Sequence, residues 1–256
     1  MSEESKTGVE DTFISHLIEL RDRLVRASIG VLVVCGLLFL WPGPAEIYDF
    51  LARPMMSSLP TGAKMIATGV ISPFLVPMKV TLLVAFIVAL PWVLYQVWAF
   101  VAPGLYLHEK KLVIPLVISS SLLFLIGIAF CYFLVFGRVF KFINEFAPAS
   151  ITVAPDIENY LDFVMSMCLA FGLTFEVPIV VIVLVRMGLV TLEKLKAIRP
   201  YVIVGSFVVA AIVTPPDVVS QFSLAVPMCL LYELGLLVAP VFSKATQAPP
   251  EEAPRA

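Results

Sequence analysis

Long apolar stretches separated by short charged segments dominate the chain. Six stretches carry no charged residue, or one at most: residues 27–41, 80–106, 112–137, 163–185, 200–213 and 218–241. Their lengths are those of transmembrane helices, although the first and the fifth are short. The pattern therefore predicts an all-α integral membrane protein, with six transmembrane helices in a single domain over residues 1–242.

The positive charges are unevenly divided between the segments that separate these stretches. Twelve Lys and Arg residues fall in residues 1–26, 108–111, 186–199 and 243–256, and the alternate segments hold five. Positive charge marks the cytoplasmic face, so both termini are predicted to be cytoplasmic. Residues 1–26 are interpreted as an amphipathic cytoplasmic N-terminus without a removable signal peptide, and residues 243–256 as a disordered tail.

Two external segments are longer than simple turns. Residues 42–79 contain six prolines among apolar residues, which predicts a helical external cap between spans 1 and 2. Residues 138–162 are expected to begin as helix and to break at Ala147 and Pro148.

Composition narrows the possible functions. Hydrophobic residues make up 60% of the chain, charged residues 14%, and the mean hydropathy is +1.00. A net charge of −2 argues against a nucleic-acid partner. The four cysteines fall in apolar stretches without metal-site or disulfide spacing, and no nucleotide-binding or hydrolase motif occurs. We therefore expect no catalysis, no cofactor and no metal.

Glu176 is the one charged residue between Asp162 and Arg186. It lies ten residues from Arg186, about 15 Å at helical rise, which is the middle of a hydrocarbon layer of about 30 Å. An acid at this depth normally faces a protein interior or a wet cavity. Pro178 leaves the carbonyl of Thr174 without its helical donor and is expected to open a polar notch beside the acid. A proton- or ion-coupled secondary transporter using Glu176 is one interpretation, although no internal repeat supports it.

Two groups of cytoplasmic residues have ordinary explanations on spacing alone. Glu19 can pair with Arg23 along one helix, and Asp22 can pair with Arg26. Spacing alone favours these ion pairs over a functional role. Glu109 can lie in a solvated turn with two lysines. Aromatic residues nearby, Trp98, Phe100 and Tyr106, are typical of the membrane interface.

Two polar features belong to the last two spans. Residues 214–217, Thr-Pro-Pro-Asp, predict a tight external hairpin, and Gln221 follows one turn into the last span. Glu233, near the predicted cytoplasmic interface, can be explained by snorkelling of its side chain.

Several motifs, in order, resemble one family. They are His16-Leu17-Ile18-Glu19-Leu20-Arg21, Tyr95–Pro103, Phe175-Glu176-Val177-Pro178, Arg199-Pro200-Tyr201 and Thr214-Pro215-Pro216-Asp217. Together they resemble the TatC family, the multispanning core of the twin-arginine protein translocase, over roughly residues 12–242. The resemblance implies a receptor in the cytoplasmic (inner) membrane for twin-arginine signal peptides of folded proteins, whose export the proton motive force drives. Its implied partners are TatA- and TatB-type single-span proteins, and we also expect contact with lipid and self-association.

The resemblance also implies site residues. Glu19 and Glu109 are matched to the positions that bind the twin-arginine motif, and a carboxylate suits the planar fork of a guanidinium. Arg21 is matched to another position that is important in the family and is expected to belong to the same site. Phe100 and Leu105 are expected to contact the apolar part of the peptide. Partner-binding or structural roles are expected for Glu176, Thr214, Gln221, Asp217 and Pro54.

The hairpin between the last two spans suggests a docking edge. Thr214 and Gln221 are expected to project polar groups there toward a single-span partner, although Gln221 can also bond within its own chain. A passive scaffold is a third interpretation, but it leaves Glu19 and Glu109 without a role.

Overall fold

The computed structural model describes residues 4–59, 64–101, 113–146, 148, 154–214 and 217–243, with side chains from Ile14 to Pro240 within those ranges. All regular structure in these ranges is helical, apart from an isolated bridge between Ile66 and Asp156, so the all-α prediction is confirmed. The helices are α1 (Glu4–Leu40), α2 (Pro44–Met56), α3 (Ser72–Val88), α4 (Leu90–Val101), α5 (Val113–Phe130), α6 (Phe136–Phe146), α7 (Ile157–Arg186), α8 (Leu192–Ala197), α9 (Arg199–Val213) and α10 (Val218–Ser243).

Four helical stretches within these ranges are long and apolar enough to cross a membrane: Ile14–Leu40, Val113–Phe146, Ile157–Arg186 and Val218–Pro240. The bent pair α3 and α4 passes the same test together, and α9 is apolar but shorter. These elements fall where the six apolar stretches lie. The count of six spans and the orientation of the termini stay predictions, and we refer below to the predicted cytoplasmic and predicted external ends.

The second apolar stretch, residues 80–106, is not one helix. It is divided between α3 and α4, whose axes differ by 57°. Pro91 explains the break, because it has no N–H to donate to the carbonyl of Ile87 and its ring disfavours helical geometry at the preceding residue. The bend carries α4 back against α1, where Trp92 Nε1 donates to the carbonyl of Arg26 at 3.0 Å.

Two glycines set the closest approach of α5 to α7. A Cβ added at Gly127 would lie 2.6 Å from the carbonyl oxygen of Phe171, and one at Gly172 would lie 2.4 Å from the ring of Phe124. Because glycine has no side chain, the two backbones can come into contact here. The contact lies within the main apolar core, in which Phe171 is fully buried.

Helix α2 forms the predicted cap between α1 and α3. Its apolar face buries Ile47, Leu51, Ala52 and Met55. Pro54 lies inside this helix and leaves the carbonyl of Phe50 without its usual helical donor. The hydroxyl of Tyr132, from the π-helical turn Cys131–Val135, donates to that carbonyl at 2.6 Å. The carbonyl that Pro54 leaves free thus connects the cap to the continuous helical stretch formed by α5, the π-helical turn and α6.

The start of α7 holds the chain that follows the cap. Asp156 accepts hydrogen bonds from the Thr68 hydroxyl at 2.7 Å and the Thr68 amide at 3.0 Å, and from the amides of Glu158 and Asn159. These bonds, led by those of Thr68, stabilise the carboxylate and lower the pKa of Asp156 to about 2. This residue is thus both the N-cap of α7 and an anchor for residues 64–71.

Candidate functional site

The acids and bases on the first part of α1 pair along the helix. Arg23 donates through Nε and Nη2 to the same oxygen, Oε1, of Glu19, at 2.8 and 2.6 Å. Asp22 pairs with its neighbour Arg21 at 2.8 Å, so the expected pair with Arg26 is wrong. The Glu19 side chain is 36% exposed.

Helices α1 and α4 meet beside Glu19. The rings of His16 and Phe100 stack with centroids 4.4 Å apart, and His16 lies three residues before Glu19 on the same face of α1. A close contact about three turns beyond Glu19 along α1 reinforces the pairing, because a Cβ on Gly30 would lie 2.4 Å from the ring of Trp92. An acid, an aromatic ring and the end of α4 therefore share one surface at the predicted cytoplasmic end.

Two of the predicted peptide-binding residues, Leu105 and Glu109, lie outside the described residues. Chain order alone places them between Val101, where α4 ends, and Val113, where α5 begins. Phe100 is half-buried against His16, and Arg21 is largely exposed, with 72% of its side chain accessible.

Glu176 occupies a second, buried polar site. The residue is only 8% exposed, although it lies within the apolar helix α7. The hydroxyl of Ser120 on α5 lies beside its carboxyl group, and Trp98 Nε1 on α4 donates to that hydroxyl oxygen at 3.0 Å. Oε1 of Glu176 has no hydrogen-bond partner among the described residues. Trp98, Ser120 and Glu176 form a polar cluster that joins α4, α5 and α7, and we call it the buried relay.

The buried relay corrects one sequence interpretation. Trp98 was expected to mark the membrane interface, but it is 9% exposed and lies inside the bundle, packed with Val117, Ile179 and Val183. Ser120 was missed altogether. A serine in an apolar helix gives no signal of its own, because serine in such helices usually bonds to its own backbone, as Ser119 does with the carbonyl of Pro115.

Pro178 does not break α7, which runs unbroken from Ile157 to Arg186. It lies instead at a close helix contact, since a Cβ on Gly235 of α10 would lie 3.0 Å from the Pro178 Cα. Thr174, beside the acid, is 2% exposed. Because Thr174 and Glu176 are both buried, the expected open polar notch beside the acid is not present, and Pro178 lines an almost wholly apolar cavity between α5, α7 and α10 instead.

The polar residues of the last hairpin turn toward their own chain. Thr214 is 5% exposed and its hydroxyl donates to the carbonyl of Ala210 at 2.8 Å, so the expectation that it projects toward a partner is wrong. The amide of Gln221 donates to the carbonyl of Phe207 at 3.4 Å, which is the within-chain alternative. Asp217 is the N-cap of α10, because it accepts from the Ser220 amide at 2.7 Å. Pro215 and Pro216 lie outside the described residues.

Glu233 has a partner that the sequence did not indicate. Its carboxylate accepts from Arg199 Nη2 at 2.7 Å, which ties α10 to the start of α9. The snorkelling explanation is therefore replaced by an ion pair. Among the described residues, no three His, Cys, Asp or Glu side chains gather as a metal site would require.

Comparisons with known proteins agree with this architecture. The family model of Sec-independent protein translocase protein (TatC) matches residues 15–227. The TatC proteins of Haemophilus influenzae and Escherichia coli K12 are each 50% identical to the chain, over 92% and 90% of its length and 91% and 89% of their own. That of Halothiobacillus neapolitanus is 50% identical over 94% of the chain and 66% of its own length.

A solved structure gives the same result at the level of the fold. The crystal structure of a twin-arginine translocase receptor TatC superposes with a TM-score of 0.77 at 38% identity, covering 89% of this chain and 99% of that one. The family match, over residues 15–227, includes Glu19, Phe100 and Glu176. The chain belongs to the TatC family of Sec-independent protein translocase proteins.

Proposed function

We propose that the chain is the receptor and assembly core of a twin-arginine translocase. In this role it binds the twin-arginine signal peptides of folded proteins, which are exported across the cytoplasmic membrane at the expense of the proton motive force. Family membership supports a protein translocase rather than a small-solute transporter. The solved relative is itself described as a twin-arginine translocase receptor.

The contact between His16 and Phe100 is the observation that carries the proposal. It holds the Glu19 face of α1 against the end of α4, one residue before α4 ends at Val101. The segment with Glu109 follows directly in the chain. Two arginines of a peptide need two carboxylates, and this arrangement offers Glu19 close to the end of α4, where the chain continues into the segment with Glu109.

The existing partner of Glu19 does not prevent peptide binding. A pair at i and i+4 on a helix surface is worth about 0.3–0.5 kcal/mol, so giving up the pair with Arg23 costs little. Both hydrogen bonds of Arg23 go to Oε1 of Glu19, whereas an incoming guanidinium can bind the two oxygens of a carboxylate together. Lysine lacks the planar fork and is expected to bind more weakly.

The receptor role is tested by photo-crosslinking. A labelled twin-arginine peptide is expected to crosslink to probes placed next to Glu109 and next to Glu19, and the crosslinks should be lost when the two arginines are replaced by lysine. A probe at the opposite end of the bundle, for example at Val70, which is 99% exposed, serves as the control. Equal crosslinking at all three positions would refute a defined peptide site.

Glu176 is proposed to act in a conformational step or in partner binding rather than in peptide recognition. It lies about 15 Å along α7 from Arg186, too deep for contact with arginines at the surface. A neutral acid could donate a hydrogen bond to a partner helix. Glu176→Gln keeps a donor and Glu176→Ala removes it, so Gln should retain transport; if both variants are equally inactive, the neutral-donor role is wrong.

The partners are proposed to be TatA- and TatB-type single-span proteins, docked along the α9–α10 hairpin. With Thr214 turned inward, the edge offered to them is apolar: Ile203, Val204, Val208 and Ile212 of α9 are exposed. Helix α9 has 15 residues, about 22 Å, and is short for a bilayer of about 30 Å, which a partner could cover. Cysteines at 211–222 should crosslink to a partner span more efficiently than cysteines in α4 or α5; equal crosslinking would remove the special role of this edge.

A further inference from the structure

Two of the four cysteines lie next to each other in the core, as free thiols. Cys131 and Cys168 are 0% and 1% exposed, belong to the same apolar cluster, and have their thiol groups side by side. Cys131 is the first residue of the π-helical turn after α5, and Cys168 lies in α7. Helical turns of this kind are rare and often occur at functional sites. The pair is separate from both polar sites described above.

The close approach of α5 and α7 explains why the two thiols meet. These helices run in opposite directions, and their backbones come into contact where Gly127 faces Phe171. Cys131 lies one turn beyond Gly127, and Cys168 one turn before Phe171, so the antiparallel arrangement brings the cysteines opposite each other. A disulfide needs Cα atoms about 4.4–6.8 Å apart, a separation that helices in backbone contact can provide. The pair is therefore placed to form a disulfide.

An open cavity reaches one of the two thiols. It lies between the cap helix α2, α3 and α5, its volume is about 450 Å³, and Cys168 forms part of its wall, while Cys131 is fully buried. Three aromatic rings also line it, and those of Phe50 and Tyr132 stack with centroids 5.2 Å apart. The third, Phe133, is 74% exposed, so the cavity opens at the surface of the bundle. A planar molecule that enters this cavity reaches Cys168 before Cys131.

The depth of the pair restricts what can oxidise it. Cys131 lies six residues before the end of the apolar stretch 112–137, and Cys168 five residues after the start of 163–185. At helical rise both are about 8–9 Å inside the predicted external face, within the hydrocarbon layer. A charged oxidant is excluded there by the cost of removing its charge from water. The oxidant must therefore be uncharged, apolar and small enough for the cavity, and quinones dissolved in a membrane have these properties.

We propose that Cys131 and Cys168 form a redox-active dithiol, which a lipid-soluble quinone entering this cavity oxidises to a disulfide. The sulfur of Cys168 bonds to the quinone ring, and its proton passes to one quinone oxygen. The sulfur of Cys131 then attacks that of Cys168, so that the S–S bond forms and the S–C bond breaks, and the second proton passes to the other oxygen. A hydroquinone leaves with the two electrons and two protons that the thiols have lost.

The disulfide ties the π-helical turn to α7 and closes a loop of about 37 residues, which restricts the unfolded chain and stabilises the fold. The proposal does not depend on peptide binding.

Oxidation of the purified full-length protein tests the site. The protein in detergent micelles, kept free of oxygen, is mixed with decylubiquinone, denatured and treated with N-ethylmaleimide, and the remaining thiols are counted by mass spectrometry. Wild type should lose two of its four thiols, produce one hydroquinone per chain, and yield a linked pair of peptides containing Cys131 and Cys168. The double variant Cys35→Ser, Cys229→Ser, which changes the two partly exposed cysteines, is the matched control and should form the same linked peptides.

An apolar maleimide tests the order of the two thiols. N-phenylmaleimide, added briefly to the folded wild-type protein and located by peptide mapping, should label Cys168 several-fold faster than Cys131. Addition of Cys131→Ser to the double variant should leave Cys168 reactive, whereas addition of Cys168→Ser should leave Cys131 protected. The wild-type comparison stands if a serine variant fails to fold.

Three results would overturn the proposal. Retention of all four thiols in the presence of decylubiquinone would show that the quinone does not oxidise the pair, even if copper phenanthroline joins the two cysteines. Equal loss of thiols with a sulfonated, charged benzoquinone would remove the role of the cavity. Faster labelling of Cys131 than of Cys168 would contradict the assigned order of attack.

Discussion

Ser120 is predicted to hold three helices together through the buried relay. Ser120→Ala removes the acceptor of the hydrogen bond from Trp98 Nε1 and the hydroxyl beside the Glu176 carboxyl group, in a buried position. A hydrogen bond between membrane helices contributes about 0.6 kcal/mol on average and about 1.7 at most. The buried N–H of Trp98 is also left unpaired, which costs about 1–3 kcal/mol, so the free energy of unfolding should fall by about 1–3 kcal/mol.

The neighbouring serine provides a matched control. Ser119→Ala removes the same atom one residue away, but its hydroxyl bonds only to backbone carbonyls of its own helix, so the cost should stay below about 0.5 kcal/mol. Both variants are unfolded with SDS in mixed micelles and followed by tryptophan fluorescence. Equal stability of the two variants would refute the relay as an interhelical connection.

Three further outcomes follow from contacts outside the relay. Tyr132→Phe should destabilise the protein by about 1 kcal/mol in the same unfolding assay, whereas Tyr48→Phe, whose hydroxyl has only a methionine sulfur at 3.9 Å, should not. Folding lowers the pKa of Asp156, so its carboxylate stabilises the folded state only where it is ionised. The difference in unfolding temperature between wild type and Asp156→Asn should therefore be constant above about pH 4 and should close as the pH falls to about 2. A difference that persists at about pH 2 would contradict this. Gly127→Ala should destabilise by about 1–3 kcal/mol through a clash with a backbone oxygen, whereas Gly137→Ala, with nothing within 4 Å, should not.

The apolar stretches of the sequence and the positions of its helix-breaking residues predict most of the fold. The apolar stretches fall on the long helices, and the break expected at Ala147 follows the end of α6 at Phe146. The helical cap was predictable because residues 42–79 combine six prolines with apolar residues such as Ile47 and Leu51 that need to be buried. The bend after Ala89 was also encoded, in Pro91, but hydropathy alone conceals it because both halves are equally apolar.

Partners across the bundle were not predictable, because they depend on how helices are rotated about their axes. The sequence around Trp98 does not distinguish a tryptophan at the membrane interface from one that donates to Ser120 inside the bundle. The ion pair between Glu233 and Arg199 joins residues 34 positions apart. The Thr214 hydroxyl donates to a backbone carbonyl of the preceding helix. Serine and threonine hydroxyls in apolar helices commonly bond in this way.

The central claim is that Glu19 binds an arginine of the signal peptide, and a double-mutant cycle tests it most directly. Binding of a twin-arginine peptide and of its lysine counterpart is measured with wild type, with Glu19→Gln and with Asp22→Asn, an acid on the same helix that pairs with Arg21. Glu19→Gln should weaken binding of the arginine peptide about 10- to 150-fold, and the arginine-to-lysine penalty should shrink in that variant alone. Strictly additive penalties, or an equal loss in Asp22→Asn, would contradict the account.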